Sequence, residues 1–261
     1  MSRVLVTGGS SGLGAALVGA HLARGDQVLN CDLNEPGPPQ PPSVRHLHLD
    51  VRSDDDWAAA RAWVEREWGG LDVLYNNAGV AGGGRIDVAT MDEWEWITQI
   101  NLFGVVRGVR TFVPMMKAQG TGRIVNVASL AGLVHPAGMA SYNAVKAAVV
   151  ALTETLGHEL AEFGISAHVV CPSYFRTGLV DSMEGTDTAV GAVIGQLVAN
   201  APLGPEDIAA AVLEAIERGE ELILPDDAAR AAYALKLADR AAYDDVMRKQ
   251  AMRLNAVGEV R

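Results

Sequence analysis

Tyr142 and Lys146 stand four residues apart in Tyr142-Asn143-Ala144-Val145-Lys146, where a long helical pattern opens. Residues i and i+4 share a helix face, so a phenol and an ammonium in this register can reach one ligand. A fixed cation favours phenolate and lowers a phenol from its ordinary pKa of about 10 toward working pH, as a general acid or base requires. The same spacing also describes an ordinary amphipathic face. Ser129 narrows the choice. It ends the strand-like run Asn126-Val127-Ala128-Ser129, and a hydroxyl at a strand end can donate to a developing oxyanion. Asn101, flanked by Ile100 and Leu102, is a polar side chain among apolar neighbours and needs hydrogen-bond partners, in a site or in helix packing.

A second group of residues suits phosphate. Thr7-Gly8-Gly9-Ser10-Ser11-Gly12-Leu13-Gly14 lies between a strand-like run and a helical one. Glycines at such a junction let the backbone turn tightly and approach a pyrophosphate, while the following helix start offers unpaired N–H groups. The spacing Gly8-x3-Gly12-x-Gly14 differs from the common G-x-G-x-x-G, and a plain strand-to-helix turn is the competing reading. Asp32 follows the second strand-like run, about 20 residues beyond the glycines, where a carboxylate can accept from ribose hydroxyls and repel a 2′-phosphate. No Lys or Arg lies in the glycine loop, so NAD is favoured over NADP. Leu49-Asp50-Val51 and Asn76-Asn77-Ala78-Gly79 end the third and fourth runs. Ligands of open parallel sheets sit outside such carboxyl ends. The Asn pair could serve a ligand, the loop backbone, or both.

These groups need elements that bring them together. β-Branched runs at 3–7, 27–31, 44–49, 73–76, 123–127, 165–171 and 221–224 alternate with helical patterns at 12–24, 53–68, 92–118, 141–163, 206–218 and 226–250. That alternation predicts an α/β fold, a doubly wound parallel sheet of seven strands with helices on both faces, in one domain spanning 1–261. Segment 35–42, with five prolines, reads as a stiff connector. The stretch 174–201 shows no clear helix start, and about 174–200 is expected to be a substrate loop or lid. The Ala-rich tail, about 226–253, reads as one amphipathic helix on the body, on a partner subunit or over the pocket.

Composition excludes several classes. The chain of 261 residues is 49% hydrophobic but only 5% aromatic, and its 21 Lys and Arg against 32 Asp and Glu leave a formal charge of −11. Polyanion binding needs clustered cations, so neither nucleic acid nor an anionic membrane is expected as a partner. Cys31 and Cys171 each close an apolar run and read as small hydrophobes rather than a disulfide. His46 and His48 read as edge histidines, with no metal expected. The start, MSRVLVTGG, enters a strand without signal-peptide regions, and glycines interrupt the apolar stretch 4–23, so a soluble, cytoplasmic protein is expected.

The set TGGSSGLG, Asp50, NNAG, Asn101, Ser129 and YNAVK, in this order and spacing, resembles the short-chain dehydrogenase/reductase family in its single-domain branch of about this length. The likeness covers roughly residues 1–178. It implies a Rossmann-type fold and an NAD-dependent interconversion of a secondary alcohol and a ketone. It further implies Tyr142 as proton donor or acceptor, Lys146 on the nicotinamide ribose, Ser129 orienting the substrate oxygen, and Asn101 holding a water in a proton relay. Gly8, Ser10, Ser11, Gly12, Leu13, Gly14, Asp32, Asp50, Val51, Asn77, Ala78, Gly79, Tyr142, Lys146, Pro172 and Thr177 are then the expected cofactor contacts. Asp50 is assigned to the adenine, Asn77 to the adenosine side and Thr177 to the nicotinamide carboxamide. The family commonly has Pro-Gly where this chain has Pro172-Ser173, and Tyr174-Phe175-Arg176-Thr177 is bulky where small residues are frequent. A homotetramer or homodimer is also implied.

Substrate preference is expected in 80–84, 130–139 and 174–197, whose Leu133, Met139, Tyr174, Phe175, Leu179, Val180, Val193, Ile194 and Leu197 suggest an apolar pocket. His135 lies in one of these loops. Arg176 could pair with an acidic substrate or with Asp181, Glu184 or Asp187. Two other functions fit the same pattern less well: a non-catalytic dinucleotide-binding sensor, disfavoured by the intact Ser129, Tyr142 and Lys146, and an NADPH-linked reductase of a carrier-bound ketone, disfavoured by Asp32.

Overall fold

The seven β-branched runs all become strands, because each is bounded by turn residues and carries apolar side chains on both faces, as a doubly covered parallel sheet requires. The computed structural model describes residues 1–37, 41–182 and 185–258. Its strands are β1 (Arg3–Thr7), β2 (Gln27–Asp32), β3 (Val44–His48), β4 (Val73–Asn76), β5 (Gly122–Val127), β6 (Ile165–Val170) and β7 (Leu222–Ile223). They form one parallel sheet in the order β3-β2-β1-β4-β5-β6-β7. The order reverses between β1 and β4, which opens a crevice at the strand carboxyl ends.

The helices are α1 (Gly12–Ala23), α2 (Asp54–Trp68), α3 (Met91–Thr98), α4 (Gly104–Gln119), α5 (Ala131–Val134), α6 (Ala140–Leu160), α7 (Thr188–Ala199), α8 (Pro205–Glu217), α9 (Asp227–Ala238) and α10 (Arg240–Gly258). Alternate residues of β1 divide the core. Val4 and Val6 pack with Leu17 of α1 and with Ile208 and Val212 of α8. Leu5 packs on the other face with Trp57 of α2, Phe112 of α4 and Val149 of α6. Each such side chain contributes roughly 1.5–3 kcal/mol by leaving water.

Three expectations are corrected. The pattern 92–118 is not one helix, because a π-helical turn, Gln99–Phe103, separates α3 from α4 and carries Asn101. The stretch 174–201 does contain a helix, α7, whose start is capped by Asp187: its carboxylate accepts from the Val190 N–H and binds Arg85 through Nε and Nη2. The tail 226–253 is two helices, since Asp239 leaves helical geometry and its carboxylate accepts from the Ala242 N–H. Pro38 and Pro39 of the stiff connector, the side chains of Val180 and Asp181, and all of Glu184 lie outside the described residues. Among the described residues no helix is long and apolar enough to cross a membrane. Cys31 and Cys171 are buried and unpaired.

A buried polar chain positions α6 beneath the sheet. Asn76 Nδ2 donates to Asn126 Oδ1 at 2.8 Å, Asn126 Nδ2 donates to Thr153 Oγ1 at 2.9 Å, and that hydroxyl donates to the Val149 carbonyl at 2.7 Å. A buried donor left without its acceptor keeps its full desolvation cost. Asn126→Leu is therefore expected to destabilise the chain by about 2–3 kcal/mol, read as a lower urea midpoint with unchanged slope.

Candidate active site

The glycine loop has the shape of an anion cradle. Gly8 and Gly12 hold left-handed backbone, φ +66° and +50°, and a Cβ on Gly14 would stand 2.0 Å from the Gly8 carbonyl oxygen. Ser11 enters α1 in extended conformation without a side-chain cap, so first-turn N–H groups are left for a ligand. Asp32 is aimed at this loop, its Oδ2 accepting from the Ser10 N–H at 3.0 Å and its Oδ1 from the Asn34 N–H at 2.9 Å. Thr7 Oγ1 accepts from the N–H groups of Asn77 and Ala78, tying the ends of β1 and β4 together. An unpaired helix start, a glycine cradle and an anchored carboxylate fit the pyrophosphate and ribose of a dinucleotide.

The residues assigned to the adenosine end fall along one wall. Gly8, Ser11, Gly12, Leu13, Asp32, Asp50, Val51, Asn77, Ala78 and Gly79 all line the cleft. Ser10 and Gly14, also expected as contacts, do not line it: the Ser10 hydroxyl donates to the Asn34 carbonyl, and Gly14 packs against the Gly8 carbonyl. Asn77 Nδ2 is occupied by the Thr7 carbonyl at 2.9 Å and reaches the Gly8 carbonyl at 3.3 Å, so its amide shapes the loop. The Asp50 carboxylate holds Arg52 through Nε and Nη2, and this pairing keeps its pKa below the ordinary carboxylate range. Thr177 Oγ1 lies 2.9 Å from where a Cβ on Gly12 would stand. Its hydroxyl therefore borders the phosphate loop.

At the other end, Ser129, Tyr142, Lys146 and Pro172 share the cleft wall. α6 carries the phenol in its first turn and the ammonium one turn later. Lys146 is buried, and its Nζ donates to the Val127 carbonyl at 3.0 Å and lies 5.6 Å from the Tyr142 ring centroid. Burial pushes Lys146 down to about 8. Burial also pushes Tyr142 up to about 12, against the opposing hydrogen bond from Ser129. The expected lowering of the phenol by Lys146 is not found, and desolvation dominates the shifts of both groups. The Asn101 amide is spent on one residue, accepting from the Val80 N–H at 2.9 Å and donating to the Val80 carbonyl at 3.0 Å. It pins the loop after β4.

Several contributors escaped the sequence. Ser173, at the departure from the family pattern, donates its backbone N–H and hydroxyl to Asp226, which also caps α9 through the Ala229 N–H. Arg176 does not pair with Asp187, which Arg85 holds; its Nη1 donates to the carbonyls of Ala201 and Pro202. His135 sits at φ 55°, bonded to the Gly132 carbonyl and to Lys236 Nζ, and this joins α9 to the end of α5. The cleft encloses about 750 Å³. Met139, Tyr174, Phe175, Leu179, Ile194 and Leu197 line it as expected, whereas Leu133 and Val193 pack into the core. Trp96 and the α9–α10 residues Ala232, Leu235, Tyr243, Val246 and Met247 complete the apolar wall, so the tail lies over the pocket.

Fold and site together define a nucleotide-dependent oxidoreductase architecture, and comparison with known proteins agrees. The short chain dehydrogenase family matches residues 2–187. A 3-alpha-(or 20-beta)-hydroxysteroid dehydrogenase of Mycobacterium bovis is 37% identical over 182 residues, covering 68% of this chain and 70% of the relative. A short chain dehydrogenase/reductase structure from Burkholderia phymatum in complex with NAD superposes with a TM-score of 0.84 at 30% identity, covering 91% of this chain and 93% of that one. One from Burkholderia cenocepacia in complex with NADP gives 0.81 at 26%, covering 94% and 97%. The chain belongs to the short chain dehydrogenase family.

The buried lysine makes a prediction about stability. Its folded pKa of about 8 lies below the ordinary 10.5, so the cost of the buried charge is fully present below pH 8 and fades as pH rises toward 10.5. Lys146→Met should stabilise the chain at pH 7 by roughly 2–3 kcal/mol, a gain that shrinks by pH 10. Urea unfolding at the two pH values checks it.

Proposed function

We propose that this chain is an NAD-dependent oxidoreductase that interconverts a secondary alcohol and a ketone on an apolar carbon skeleton. The observation that carries the reading is the meeting of the Ser129 hydroxyl, the Tyr142 phenol and the Lys146 ammonium on one wall of the glycine-loop cleft. The substrate oxygen lies between Ser129 and Tyr142. Ser129 orients it, and Tyr142 gives or takes its proton. A nicotinamide dinucleotide, when bound, supplies the hydride chemistry. Gly8, Ser11, Gly12, Leu13 and the α1 start would hold its phosphates, Asp32 its adenosine ribose, Asp50, Val51, Asn77, Ala78 and Gly79 the adenosine side, and Lys146, Pro172 and Thr177 the remainder. The apolar wall formed by α7, α9 and α10 supports a hydrophobic substrate, and the hydroxysteroid dehydrogenase relative is in keeping with that.

Electrostatics support NAD. Among the described residues the cations lining the cleft are Arg52 and Lys146. Arg52 is spent on Asp50 and Lys146 on the reacting end, leaving Asp32 to face a ribose without a cation beside it. One domain, working in the cytoplasm as a homotetramer or homodimer, completes the proposal.

Two measurements test it. Tyr142→Phe is expected to lower turnover of secondary alcohols by at least about 10²–10⁴-fold while NADH binding persists, and near-normal turnover would sink the proton-transfer role. The parent should bind NADH at least tenfold more tightly than NADPH, and Asp32→Ala should narrow that gap; calorimetric titration with both nucleotides decides.

A further inference from the structure

The inner stripe of α10 runs through Tyr243, Met247, Gln250 and Leu254, at helical spacing i, i+4, i+7 and i+11. Three of the four have evident uses. The Tyr243 hydroxyl donates to the Val134 carbonyl at 2.6 Å, Met247 packs against the main core, and Leu254 packs with Met139, Tyr142 and Ile194. Gln250 does not fit the pattern. It is half-buried and lines the cleft, and its side-chain amide makes no hydrogen bond to any described residue. A glutamine on the outer face of a helix needs no explanation, since water satisfies it. Gln250 shares the cleft wall with Val246, Met247, Leu197 and Val198, and brings two donors and an acceptor to a wall that otherwise offers a ligand apolar contact.

Tyr174 is the competing candidate in the same region. Its hydroxyl approaches Met139 Sδ at 3.8 Å, and its charge would oppose ionisation of Tyr142. It lines the same cleft as Ser129 and Tyr142. Gln250 belongs to a different element, and nothing in the proton-transfer group requires it.

We infer that Gln250 is a specificity residue, and that the substrate carries, on its apolar skeleton, a second hydrogen-bonding oxygen recognised by the Gln250 amide. This rests on the proposed apolar alcohol or ketone and narrows it to doubly oxygenated molecules. A site that hydrogen-bonds a substrate group discriminates strongly against the analogue lacking it, because the amide is then left unpaired.

The test compares binding of androstan-3-ol with that of its 11-keto and 17-keto derivatives, by equilibrium dialysis against NADH-saturated protein. At least one keto derivative should bind tenfold or more tightly than the unsubstituted alcohol, and Gln250→Leu should bring that ratio to within about threefold of unity. Loss of the preference in Gln250→Leu without turnover of any of the three alcohols would overturn the proposed reaction and leave this inference standing. No binding of the three, no preference in the parent, or a preference that survives Gln250→Leu overturns it. So does a preference abolished by Tyr174→Phe alone, which would assign the second oxygen to that phenol.

Discussion

Keeping an ammonium out of water is the constraint around which the site is arranged. Lys146 has three N–H donors, and the protein acceptor held by its Nζ is the Val127 carbonyl at the end of β5. The buried charge is costly, as its lowered pKa records, and the surrounding residues determine where its remaining donors can go. Gly79 leaves the approach open, for a Cβ there would stand 3.0 Å from Asn101 Oδ1 and 3.7 Å from Lys146 Nζ. The π-helical turn and the Asn101–Val80 pairing keep the loop after β4 at that distance. The Asn76–Asn126–Thr153 chain holds α6 to the sheet behind it.

The two ends of the cleft use opposite physics. At the glycine loop the groups are backbone N–H, a carboxylate and helix-end dipoles, which suit a charged and hydrated ligand. Around Tyr142 the walls are apolar and desolvation dominates, raising the phenol and lowering the lysine together. A dry environment strengthens every charge interaction that a substrate oxygen will meet there. α9 and α10 contribute much of that dryness, and their attachment is specific: Lys236 reaches Leu133 and His135, Tyr243 reaches Val134, and Asp226 fastens the loop after β6 to the start of α9.

Much of this was legible from residue order. The period-two alternation of Val4, Leu5 and Val6 encodes a strand covered on both faces, and Gly8 and Gly12 mark left-handed backbone because few other residues adopt it cheaply. YNAVK placed Tyr142 and Lys146 on one helix face without any tertiary knowledge. What stayed hidden depends on contacts between distant segments. The π turn needs Val80 to satisfy Asn101; α7 begins at an Asp187 whose other partner, Arg85, is about a hundred residues earlier; and Arg176 donates to the carbonyls of Ala201 and Pro202 rather than to Asp187.

By itself, the sequence determined the strands, the principal helices, the glycine loop and the order in which reactive side chains reach the sheet edge, since propensity, turn chemistry and helical period act over a few residues. The tertiary structure decided the ionisation of those side chains, the use of Asn77 and Asn101 as scaffold, and the roof that α9 and α10 place over the cleft. Burial, the cause in each case, is a property of what packs against a residue and cannot be read from its immediate neighbours in the chain.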